Sequence, residues 1–203
     1  MKFKRDLLWL ILFGTLLGLN ETLLGGMHIP NKSILLSVIT LLLLSIARYL
    51  FPNIGTSLLI IAVAAIFKIT DLGLMGCKLE AMVMLGISFE IFASLLIRKR
   101  SLKFYKYSIL SFASAIVAFT LFALMERYIV KNEFWNGPKF GEYIFFKGAI
   151  AAVIAAAVSF LGVIAIKPLI SWYEKAVSRK VVLINSILGA VIIAVWFLGY
   201  FTA

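Results

Sequence analysis

Residues 34–51 read ILLSVITLLLLSIARYLF, a run of eighteen in which Arg48 is the single charge. As a helix rising about 1.5 Å per residue, it would extend about 27 Å, close to the ~30 Å hydrocarbon core of a bilayer. The same reading repeats outward in both directions. Further windows of mainly apolar residues fall near 7–25, 55–73, 79–97, 106–128, 145–167 and 181–201. The expected fold is all-α, a polytopic integral membrane bundle of about seven transmembrane helices, or six if one span is re-entrant or peripheral. Pro52 and Gly55 mark the turn between the second and third spans, and Pro168 is expected to end the sixth. The longest connection, 129–144, is too short to hold a core of its own, so residues 1–203 form one transmembrane domain.

Composition agrees. Of the 203 residues, 63% are hydrophobic and 14% charged, against about 45–50% and ~25% in soluble domains. The formal charge of +11 would suggest nucleic acid in a soluble protein; in a membrane chain it records orientation, and no nucleic-acid partner is expected. Thirteen basic residues fall on the side of the N-terminus, including the cluster Arg98, Lys99, Arg100, Lys103 and Lys106, and five fall on the other. The N-terminus is therefore expected in the cytoplasm and the chain in the cell membrane. Lys2, Lys4 and Arg5 before an apolar run also resemble a secretory signal, but no Ala-x-Ala site follows, so the first span is read as a helix.

Ionisable groups within spans are functional candidates, because each costs at least about 2.5–3.5 kcal/mol at a helix centre. Glu21 lies in the outer third of the first span. Lys68 and Asp71 lie three residues apart at the end of the third, and Glu80 opens the fourth. With His28 these groups converge on one level, and Gly73 and Gly76 between them allow a helix break that exposes backbone groups to a cavity. Glu21, Lys68 and Glu80 are the expected substrate contacts, with Asp71 and His28 beside them. The alternative is an ion network that only fixes helix register. Glu90, near the midplane of the fourth span, is expected to pair with Arg48. Phe134, Trp135, Phe140 and Tyr143 in the 129–144 segment read either as an interfacial aromatic belt or as a lid over the outer cavity.

Small residues at spacings near four line two spans: Gly14 and Gly18 in the first, Gly148, Ala152 and Ala156 in the sixth. Such faces let helices approach closely, either within the bundle or against another subunit. One His (His28) and one Cys (Cys77) exclude a Cys-rich zinc site or a His-cluster metal cage, so no metal site and no cofactor are expected. With no Walker A loop and no H-E-x-x-H pair, no enzymatic activity is expected, and any ATP hydrolysis must fall to another chain.

Over residues 10–97 the sequence resembles the S-components, the substrate-binding subunits of energy-coupling-factor transporters. The residues that carry this are Gly18-Leu19-Asn20-Glu21-Thr22-Leu23-Leu24-Gly25-Gly26, Ile29-Pro30, Arg48 to Pro52 with Gly55-Thr56-Ser57-Leu58, Ala64-Ala65-Ile66-Phe67-Lys68, and Glu80. The resemblance implies a small helical subunit that captures a vitamin or metal ion at the outer face. It also implies docking through small-residue faces onto a transmembrane coupling subunit served by two cytosolic ATPases. Most such proteins have six spans, against the seven read here. Met27-His28-Ile29-Pro30 is similar to the Met-His-Ile start of cobalt and nickel uptake S-components, but it is internal and continues with Asn31-Lys32 in place of Asp-Gly. The expected function is uptake of a small, vitamin-like solute, with a non-transport accessory or assembly protein as the alternative and cobalt or nickel uptake as a lesser one.

Overall fold

The turn at 51–55 shows how the chain is made to reverse inside a membrane protein. Pro52 disfavours helical geometry at the residue before it, so α2 (Lys32–Leu50) stops at Phe51. Gly55 takes φ +86°, a value that suits glycine, and starts α3 (Thr56–Ile69). The Thr56 hydroxyl lies within hydrogen-bond distance of the carbonyls of Phe51 (3.0 Å) and Asn53 (2.8 Å), to which it can donate, and so braces the turn.

The computed structural model describes residues 2–27, 29–69, 76–97 and 103–202, with the side chains of 7–25, 27, 29–68, 79–97, 103–168 and 186–197. Besides α2 and α3 it contains α1 (Lys2–Gly26), α4 (Gly76–Leu96), α5 (Tyr105–Tyr128), α6 (Pro138–Glu142) and α7 (Ala149–Thr202). A 3-10 turn at Glu133–Trp135 precedes α6 and a π-helical turn at Tyr143–Gly148 leads into α7. No strand occurs among the described residues. Five helical stretches are long and apolar enough to cross a membrane, and Thr56–Lys68 and Ser186–Phe197 are shorter apolar ones. The protein is a polytopic helical membrane bundle of about seven helices.

The sixth and seventh spans differ in detail from expectation. They form one helical run, and Pro168 lies within it instead of ending it. A proline inside a helix removes one backbone hydrogen bond and kinks the axis, which membrane helices tolerate. Fifty-four residues in a straight line would extend about 81 Å, roughly twice a whole bilayer. The contacts show that the run bends back. Gly162 meets Leu42 and Ile46 of α2, while Trp196 donates to the Thr15 hydroxyl of α1 (3.0 Å) and packs edge-on against Phe67 of α3 (5.3 Å).

Within the bundle α1 packs on α3, α4 on α5, and α7 on both α2 and α5. One apolar core joins Leu17, Leu41, Ile60, Phe89, Leu110 and Val163. The small-residue ribbons, read as packing either within the bundle or against another subunit, meet neighbouring helices of the bundle. A Cβ at Gly14 would lie 2.6 Å from Val63 Cβ, and one at Gly18 2.8 Å from the Phe67 ring. Gly148 meets Phe119, Ala152 is fully buried, and the Ala156 carbonyl accepts from Ser108 (3.0 Å). Ser45, Ser111 and Ser159, all buried, link α2, α5 and α7 through hydroxyl contacts of 2.9 and 2.8 Å.

Glu90 and Arg48 pair as expected, at 3.2 Å. Glu90 also accepts from the backbone N–H of Gly55 (2.8 Å) and Ser57 (3.0 Å), and so caps the start of α3 from a neighbouring helix. Arg48 further donates to the carbonyls of Asn53 and of Ile97 (3.3 Å). Removing either partner leaves the other's buried charge without its counter-charge. Glu90→Ala is expected to destabilise by about 3–5 kcal/mol, because it leaves a buried guanidinium and two orphaned N–H groups. Arg48→Met costs less, since Glu90 keeps its two N–H donors. Thermal unfolding in detergent should give that order.

Candidate functional site

α1 and α2 meet at the end of the bundle remote from the N-terminus. Here Lys32 donates to the carbonyls of Gly25 (3.1 Å) and Met27 (3.4 Å), covering acceptors that the end of α1 leaves open. Below this junction lies a cavity of about 220 Å³. Its walls come from four helices and the π-helical turn. Glu21 of α1 contributes a carboxylate and is 8% exposed. Ser33, Ser37 and Thr40 of α2 contribute hydroxyls, with Leu36 between them. Ala81, Met82 and Leu85 of α4, Phe122 of α5 and Tyr143 complete the lining.

The structure does not gather all the expected contacts around this space. Glu21 lines it; Lys68 and Glu80 do not. Lys68 is buried in the last turn of α3, and both it and Glu21 have interactions within the protein. His28 and Asp71 lie outside the described residues, as does most of the glycine-bearing connection after α3. Glu80 instead meets a group the sequence reading passed over. Its carboxyl lies beside that of Glu126, near the end of α5. Glu126 is 2% exposed and also accepts from the Asn132 side chain (3.2 Å), while its backbone carbonyl accepts from Asn132 N–H (3.1 Å). No group of three or more potential metal ligands occurs among the described residues.

The 129–144 segment folds onto the end of α5. Trp135 is buried edge-on against Phe122 (5.6 Å) and Tyr143 (4.7 Å), and Tyr143 stacks on Phe119 (5.1 Å). Phe140 lies under Arg127 (4.8 Å) and Phe134 under Lys139 (4.2 Å). The aromatics engage one another and nearby cations, and of the four only Tyr143 reaches the cavity. The segment therefore contributes one wall residue, held in place by the cluster behind it.

The α2 hydroxyls were missed, although their signal is in the sequence. Ser33, Ser37 and Thr40 stand at i, i+4 and i+7, one helical face in an otherwise apolar span. Compared with family models, with curated proteins and with solved structures, the chain matches none. The likeness to S-components rests on the residues that suggested it. Trp135→Ala is expected to cost about 3–5 kcal/mol, as for other buried Trp truncations, and to loosen Tyr143. Thermal unfolding measures the first effect, and faster hydrogen exchange across 133–148 would show the second.

Proposed function

We propose that the protein is a membrane-embedded subunit that binds a small solute for uptake. The observation that supports this is the cavity, which sets a buried carboxylate and three hydroxyls inside an apolar bundle. Polar groups at such depth are expensive unless they serve a bound molecule or each other. A volume of about 220 Å³ sits below the ~300–1,000 Å³ of sites for drug-sized ligands, so the solute is small, at most the size of a compact vitamin.

The excess of basic residues at the N-terminal end favours a cytoplasmic N-terminus in the cell membrane, with the cavity in the outer half. Without a nucleotide-binding loop in the sequence, the energy for transport comes from other chains, a coupling subunit and its ATPases. Glu80, beside Glu126 and outside the cavity lining, is better suited to a structural role.

Native mass spectrometry of gently purified protein tests the reading. A retained small mass is expected. Glu21→Gln should lower its occupancy by about 10- to 100-fold in affinity, the scale of one charge-assisted hydrogen bond. Lys68→Ala, which removes a group outside the cavity wall, should leave occupancy largely intact. Failure to find any retained mass, together with no solute-dependent stabilisation, would count against a solute-binding subunit.

A further inference from the structure

The two ends of the bundle differ in how their charges are balanced. At the end remote from the N-terminus, residues 126–142 carry Arg127, Lys131 and Lys139 against Glu126, Glu133 and Glu142. At the other end, the chain from α4 into α5 carries Arg98, Lys99, Arg100, Lys103 and Lys106, and no acid occurs between Glu90 and Glu126. None occurs between Glu142 and Glu174 either, the stretch that contributes Lys167. Glu90 itself is engaged with Arg48 and the start of α3. The fold brings two of these cations, from different spans, to one place. Three spanning stretches have an end here, at Leu96, Tyr105 and Pro168. Phe104 stands at the N-cap of α5, its ring tilted against that of Tyr49 (6.3 Å). Lys167 Nζ lies 5.6 Å from the centre of the Phe104 ring, a cation–π distance. Two residues after Phe104, Lys106 Nζ donates to the Leu96 carbonyl in the last turn of α4 (3.4 Å). Among the described residues neither lysine meets a carboxylate. The start of α5 adds no negative charge, since its first turn has no acid. One carbonyl and one ring face leave donors available on both ammonium groups. The rule that sorts basic residues to one side explains the end they occupy, but it does not require two spans to bring theirs to the same ring.

We propose that Lys106 and Lys167, gathered around Phe104, form a site for the headgroup of an anionic phospholipid. The level of the site argues for lipid. Where spanning helices end, the headgroup phosphates begin, so both ammonium groups meet that anion without leaving the interface. Lysine stems suit this depth, because their methylenes lie along apolar surface while the charge reaches the headgroups. Tyr105, between Phe104 and Lys106 in sequence, is 51% exposed, and such amphipathic rings favour the same level. The site is independent of the solute cavity and needs only a bundle embedded in a membrane.

Native mass spectrometry of the detergent-purified full chain tests this, with dioleoyl phosphatidylglycerol and dioleoyl phosphatidylcholine titrated together in equal amounts. Matched acyl chains leave the headgroup as the difference. The phosphatidylglycerol adduct is expected to dominate. Lys106→Gln and Lys167→Gln should each weaken it about fivefold, the scale of ~1 kcal/mol per basic residue near an anionic surface. Lys106→Arg with Lys167→Arg keeps both charges and should keep the adduct. Lys131→Gln with Lys139→Gln, at the opposite end, should leave it unchanged. Glycerol 3-phosphate at millimolar concentration separates a lipid from a free phosphate, and it is expected not to displace the adduct. Equal occupancy by the two lipids in the wild-type protein would overturn the assignment, whether or not every variant folds. So would a phosphatidylglycerol adduct that survives Lys106→Gln with Lys167→Gln, or one that falls as far in the opposite-end variant. Displacement by glycerol 3-phosphate would overturn it in favour of a soluble phosphate.

Discussion

The contact between Arg48 and Glu90 ties together more of this protein than any other described. An isolated charge of either sign would be untenable at those positions, both almost fully buried. Paired, they join α2 to α4. The carboxylate also closes the first turn of α3 by accepting from Gly55 and Ser57. That site is electrostatically apt, because a helix N-terminus presents unpaired N–H groups and a partial positive charge. The guanidinium in turn reaches carbonyls in the 51–55 turn and at the end of α4. Three helices and a reversal of the chain are thus held by one pair, at the end of the bundle opposite the cavity.

Away from that pair, cohesion comes from weak and distributed interactions. Lipid supplies no hydrophobic drive between helices, so close approach and hydroxyl bonds carry more of the load. Gly14 and Gly18 let α1 sit directly on α3, and the Ser45–Ser111–Ser159 chain bridges three helices at a modest energy per bond.

Much of this was legible beforehand. Seven apolar stretches and the Pro52–Gly55 turn follow from hydropathy and backbone chemistry, both local, and the Arg48–Glu90 pairing, across 42 positions, from the cost of a buried charge and the scarcity of partners for it. The candidate site was legible in part. Glu21 lines the cavity, whereas Glu80 turns to Glu126, a residue 46 positions away that an inspection of single spans gave no reason to join to it. The aromatic segment could be read as belt or lid, and its packing on Phe122 and Phe119 depends on the angle at which it returns to α5.

The sequence by itself determined the class of molecule: an all-helical membrane chain, with apolar runs of spanning length and scarce charges that must be paired. Such properties depend on transfer free energies summed along short windows, and each window contains its own answer. Only the tertiary structure decided which polar groups share a space. Helices of similar hydropathy can be arranged around one another in several ways, and contacts such as Gly14 on Val63 or Phe122 on Trp135 select among them. That selection turned the small-residue ribbons inward, parted Lys68 from the cavity wall, and set Glu21 opposite the hydroxyl face of α2.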